Sequence, residues 1–152
     1  MENNQKLSIV VPLYNEEGNV RELHRKIKEA CQKLENPFEI IFVDDGSTDS
    51  TVQKIKQLNR KEIHLVEFRK NYGQSNALYA GIEYASGEFI VTMDGDLQHP
   101  PALVGELVAA WRQGYRIVYT HRQATEGRLR GDSGEMLGTG LAPSHAHYLT
   151  RA

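Results

Sequence analysis

The 152-residue chain has one cysteine, one tryptophan and an aromatic share of only 8%. Cys31 alone cannot close an internal disulfide, so a reducing, cytoplasmic setting is expected. Its spacing from Val20, Leu23 and Ile27 reads as a small hydrophobe on a helix face rather than as a nucleophile. No apolar run approaches the ~20 residues that cross a bilayer. The opening Met1-Glu2-Asn3-Asn4-Gln5-Lys6 lacks the apolar core of a signal peptide. Charge of one sign is missing as well. The formal net charge is -2, which argues against a global basic field and a nucleic-acid partner. Neither the glycine fingerprint of dinucleotide folds nor the phosphate-loop lysine motif is present. What remains, 39% apolar and 25% charged residues, suits one soluble domain with one core.

Apolar runs and helical periods alternate along that domain. Ser8-Ile9-Val10-Val11-Pro12 reads as a buried strand, followed by a loop, Leu13 to Gly18. Val20, Leu23, Ile27, Cys31 and Leu34 then recur at helical spacing, and Asn36-Pro37 ends that helix. A second strand spans 38–43. After it, Asp44-Asp45-Gly46-Ser47-Thr48-Asp49 is a polar turn that opens a helix marked by Val52, Ile55 and Leu58. Residues 63–68 alternate as a third strand, 74–85 form a helix of small residues, and 89–93 form a fourth strand. Leu103, Leu107, Val108 and Trp111 place a helix after Pro100-Pro101, and 116–120 read as a fifth strand. Nearly continuous apolar strands separated by helices predict an α/β fold with a mainly parallel sheet and helices on both faces. From 123 to 152 no period of 2.0 or 3.6 is sustained. That stretch, including His145 and His147, reads as an irregular, solvated tail.

In such sheets, ligands bind outside the carboxyl ends of the strands. Acidic residues sit after strand one (Glu16, Glu17), strand two (Asp44, Asp45) and strand four (Asp94, Asp96). Asp94-Gly95-Asp96 is the most telling of these. Two carboxylates one small residue apart, behind a buried strand, call for a counter-charge. A divalent cation carrying a diphosphate is one, because Mg2+ and Mn2+ take carboxylate oxygens and keep phosphate oxygens among their ligands. The continuation Leu97-Gln98-His99-Pro100-Pro101 is more elaborate than a surface turn needs. Gln98 supplies one more oxygen for metal or sugar. A calcium loop fails, since its later ligands and closing Glu are missing. Two other readings are a phosphatase of the haloacid dehalogenase type and a non-catalytic module whose acidic loops are solvated caps. The first also has an Asp pair after a strand, but early in its fold and with a downstream lysine.

As an ordered set, Ile9-Val10-Val11-Pro12-Leu13-Tyr14-Asn15-Glu16-Glu17, Val43-Asp44-Asp45-Gly46-Ser47-Thr48-Asp49, Arg69-Lys70-Asn71-Tyr72-Gly73-Gln74 and Met93 to Pro101 resemble family 2 glycosyltransferases of the GT-A fold. The nearest likeness is to the dolichol-phosphate mannosyltransferase and polyprenyl-phosphate glycosyltransferase branch. The resemblance implies a Rossmann-like GT-A domain that takes a UDP- or GDP-type sugar donor and transfers the sugar with inversion. The acceptor it suggests is a polyprenyl phosphate at the inner face of the membrane. It implies Pro12, Tyr14 and Glu16 at the nucleoside, and Val43 and Asp45 at base and ribose. Asp94, Gly95 and Asp96 would lie at the diphosphate. Asp94, Asp96 and Gln98 would hold Mg2+ or Mn2+, and Arg69 with residues 71–73 would form a cleft wall. The likeness covers about 7–122. The expectation is therefore a nucleotide-sugar-binding domain over 1–122 with an incomplete C-terminal half. No catalytic base is assigned, and exposed apolar surface would favour a homo-oligomer.

Overall fold

The computed structural model describes residues 4–97 and 103–114, and the backbone of four further strands between 118 and 150. The elements begin β1 (Leu7–Leu13), α1 (Val20–Lys33), β2 (Phe38–Asp44), α2 (Thr51–Leu58) and β3 (Ile63–Glu67). They continue with α3 (Gln74–Tyr84), β4 (Phe89–Thr92) and α4 (Leu103–Arg112). β1, β2 and β4 fall on the apolar runs, β3 on the alternating stretch, and each helix within the segment expected to be helical.

The sheet order is β3-β2-β1-β4, with all three neighbouring pairs parallel. The chain moves outward from β1 to β2 and β3, then crosses to β4 on the other side of β1. That reversal lies between β1 and β4, where a parallel sheet opens a crevice at its carboxyl edge. β4 stops at Thr92, but Met93 N–H still donates to the Val10 carbonyl at 3.0 Å. The loop that follows therefore leaves from beside β1.

Side chains alternate across β1. Leu7, Ile9, Val11 and Leu13 are buried against the face that carries α1, α2 and α4, together with Ile27, Cys31, Phe42, Ile55, Phe89 and Leu107. Trp111 stacks on Phe89 with ring centroids 4.8 Å apart and planes 8° apart. Burying each large apolar side chain contributes about 1.5–3 kcal/mol. Val10, Ile41, Val43 and Ile90 point the other way and are covered by α3 through Ala77 and Ala85. There a β-carbon on Gly81 would fall 2.3 Å from Val10 Cγ1, so α3 lies almost on the sheet.

The fifth strand does not extend the parallel sheet. It is β5 (Val118–Arg122), which pairs antiparallel with β6 (Gly127–Gly131), and β6 pairs with β7 (Met136–Gly140) in a separate three-stranded sheet. Only residues 123–126 separate β5 from β6, a hairpin spacing too short for a parallel crossover. β8 (Tyr148–Thr150) runs antiparallel beside β4. β5 overlaps the fifth strand read at 116–120, while β6, β7 and β8 lie in the stretch read from sequence as irregular. Gly127, Gly131, Gly138 and Gly140 interrupt any alternation there.

Candidate functional site

The loops at the carboxyl edge are laced together by short polar side chains. Asn15, at φ 51°, accepts at Oδ1 from Thr48 N–H at 2.8 Å and from Asp49 N–H at 3.3 Å. Ser47 Oγ accepts from Asn15 N–H, and Thr51 Oγ1 accepts from Glu16 N–H, both at 2.9 Å. Glu17 accepts from Ser50 N–H at 3.0 Å. Polar side chains that bond nearby backbone favour such turns over regular structure. Here they join the loop after β1 to the loop after β2.

Asp44 and Asp45 part company at this point. Asp44 Oδ2 accepts from Ser47 N–H at 3.0 Å and closes the turn, while its Oδ1 is buried without a hydrogen-bond partner. Asp45 faces the crevice. Its Oδ1 accepts from Tyr72 N–H at 2.7 Å and its Oδ2 from Gly73 N–H at 3.1 Å. These are the amides just before α3, whose N-cap residue, Gly73 at φ 97°, has no side chain of its own to cap the helix. Asp45 therefore caps α3 from another loop. Gly46, at φ 75°, makes room for this, because a β-carbon there would fall 2.3 Å from the Lys70 carbonyl carbon. The first residue of α3 then reaches across: Gln74 Nε2 donates to Asp94 Oδ1 at 2.9 Å.

An open cleft of about 240 Å3 results, lined by Pro12, Leu13, Tyr14, Glu16, Asp45, Gln74, Asp94, Gly95 and Asp96. Glu16 is half-buried, and burial raises its carboxyl above the usual range. The amide of Asn19 opposes that rise, and the charges of Asp96 and Asp49 add to it. Residues from three separate loops thus act on one carboxylate. Tyr14 is 46% exposed, so it offers ring surface to a ligand.

Seven of the residues expected at the site meet in this cleft: Pro12, Tyr14, Glu16, Asp45, Asp94, Gly95 and Asp96. Val43 does not line it. Its side chain is fully buried against α3 on the opposite parity of β2 from Phe42. Of 69–74 only Gln74 lines the cavity, while Tyr72 and Gly73 donate their amides to Asp45. Gln98, His99, Pro100, Pro101, His145 and His147 lie outside the described residues. Leu13 and Gln74 line the cleft as well, although the sequence reading quoted them only within the resembling motifs and gave them no site role.

The donor set suits a hard cation that brings its own remaining ligands. Asp94 and Asp96 give the cleft two carboxylates, and no group of three His, Cys, Asp or Glu suited to a metal occurs among the described residues. Mg2+-like ions accept one or two carboxylates plus phosphate oxygens and water. Cys31 takes no part: burial pushes its thiol up to about 12.

Residues 8–139 match the family described as Glycosyl transferase family 2. The match runs beyond residue 122, where the likeness read from sequence stopped. An uncharacterized glycosyltransferase of Synechocystis sp. is 45% identical over 125 residues, which are 80% of this chain and 39% of that protein. The chain thus spans about two fifths of that relative's length. Among solved structures, S. aureus TarS 1-349 in complex with UDP-GlcNAc superposes with a TM-score of 0.59 at 26% identity, over 74% of this chain and 33% of that one. A mannosyltransferase from Pyrobaculum calidifontis in complex with GDP-Man and Mn2+ gives a TM-score of 0.61 at 24% identity, over 76% of this chain and 34% of that one. At that identity it shows the fold, which is GT-A.

Proposed function

This chain belongs to glycosyltransferase family 2, and we propose that its cleft binds the nucleotide diphosphate of a sugar donor through a divalent cation. The observation that carries this reading is the convergence of Glu16, Asp45, Asp94 and Asp96, from three loops, on one cavity. A bare diphosphate would be repelled from four carboxylates, so a cation must stand between them. Asp94 and Asp96 would hold it, with Gln98, two residues on in the sequence, as a further oxygen. Mn2+ and GDP-Man in the Pyrobaculum mannosyltransferase, and UDP-GlcNAc in TarS, support this class of ligand.

Each residue then has a task. Pro12 and Tyr14 form one wall, where the exposed ring offers a stacking surface for a base. Asp45 spends one lone pair of each oxygen on the Tyr72 and Gly73 amides before α3 and keeps acceptor capacity for ribose or base. Gly95 keeps the diphosphate loop low against β1. When bound, the cation neutralises the negative charge that grows on the leaving diphosphate. We extend the reading to an inverting displacement at the sugar carbon. A polyprenyl phosphate acceptor, as in the dolichol-phosphate branch, is already anionic and needs no general base. A dehalogenase-type phosphatase is set aside by the family.

A thermal-shift panel of UDP-, GDP- and dTDP-sugars with and without Mn2+ tests the proposal. One donor class should raise the melting temperature only with metal, growing with ligand excess. No shift with any donor in Mn2+ would overturn it.

A further inference from the structure

Gln74 is a polar side chain of the cleft that the donor-binding reading leaves without a task. It opens α3, lines the cavity, and donates from Nε2 to Asp94 Oδ1 at 2.9 Å. The Gln74 end of this bridge is anchored. Asp45 fixes the two backbone amides immediately before Gln74. Farther along α3, Gly81 presses on Val10, and Ala77, with Ala85 just past the helix end, packs into the core on that face of the sheet. Asp94, in contrast, sits on a loop after β4 stops at Thr92. A rigid helix therefore reaches out to hold a carboxylate on a less regular segment.

We propose that Gln74 is a positioning residue for the cation: its amide sets the orientation of Asp94, so that Asp94 and Asp96 present oxygens to one ion. This rests on reading the cleft as a cation site. The chemistry of the donor is suited to the task. A primary amide steers a carboxylate while leaving its full charge to the metal. A lysine or arginine here would also hold Asp94 but would compete with the cation for it. Groups that orient metal ligands in this way typically matter ~10-fold or more to metal affinity. The reach matters too, because asparagine would be one methylene short of Asp94.

The test compares wild type with Gln74→Met, which keeps length and loses the donor, and with Gln74→Ala as a second variant. Calorimetry measures the Mn2+ concentration that half-saturates binding of UDP and of GDP, and separately the metal-free affinity for UMP and GMP. The melting temperature of the unliganded protein is recorded alongside. Both variants should need ~10-fold more Mn2+, with metal-free affinity and melting temperature unchanged. Variants that need no more Mn2+ than wild type would overturn the proposal. A parallel loss of metal-free affinity would overturn it as well, since Gln74 would then contact the nucleotide itself. Failure of the wild type to bind UDP or GDP with Mn2+ would instead strike the donor-binding reading.

Discussion

Gly95 and Leu13 approach so closely that a β-carbon on Gly95 would lie 2.1 Å from Leu13 Cδ2. The glycine between the two carboxylates is thus a packing residue that seats the loop after β4 on the end of β1. Leu13 is 1% exposed and has little room to yield. Gly95→Ala should cost about 1–3 kcal/mol through overpacking and weaken metal-dependent nucleotide binding. Urea unfolding and calorimetry on the same sample check both.

Asp45 ties the loop before α3 to the end of β2 with both oxygens. Asparagine in its place has one acceptor oxygen and turns an NH2 group toward one of the two amides. Asp45→Asn should cost about 1–3 kcal/mol, and the amide protons of Tyr72 and Gly73 should exchange faster. Hydrogen exchange read residue by residue checks the second effect. Unchanged protection at both amides would contradict the clamp.

Glu39 lies at the opposite end of the sheet from the cleft. It accepts from Lys6 Nζ at 2.7 Å, Ser8 Oγ at 2.6 Å and Ser86 N–H at 2.8 Å. Burial pushes its carboxyl up, but these bonds together outweigh burial and hold it at about 2, against an ordinary 4.5. A carboxyl held lower in the fold than in the open chain stabilises fully above about 4.5. That stabilisation is lost as pH falls toward 2. Between pH 6 and pH 3 the wild type should lose roughly 2 kcal/mol more stability than Glu39→Gln. Urea titrations at the two pH values measure the difference.

Cys31 is fully buried in α1, and burial pushes its thiol up to about 12. Neutral and enclosed, it should resist a thiol reagent such as dithiobis-nitrobenzoate in the native state. It should react at a rate that follows opening of the fold. Fast labelling without denaturant would contradict the packing of α1 on β1.

Much of this arrangement is legible in the sequence. β1, β2 and β4 are continuous apolar runs because both faces of each are covered. The helices show their buried stripes, as Val20, Leu23, Ile27 and Cys31 do. That the acidic loops after β1, β2 and β4 meet at one edge is legible, because successive parallel strands all end there. What is not legible depends on contacts between distant segments. Nothing local tells Asp44 from Asp45, which differ only in which loop their oxygens meet. Val43 looks like a site residue by its position beside Asp45, yet strand parity sends it under α3. The bond from Gln74 to Asp94 exists only because β1 lies between β2 and β4, an order no short window of residues reveals. The pairing of β5 with β6 is local and is hidden for a different reason, the glycines that interrupt any alternation from 127 onward.

Calorimetric titration of the chain with UDP and GDP, in Mn2+ and then in excess EDTA, tests the shared cation-bridged cleft most directly. One of the two nucleotides should bind in Mn2+, lose measurable affinity in EDTA, and weaken at least ~10-fold in Asp96→Ala. Equal binding with and without metal, or no binding of either nucleotide in Mn2+, would contradict the account.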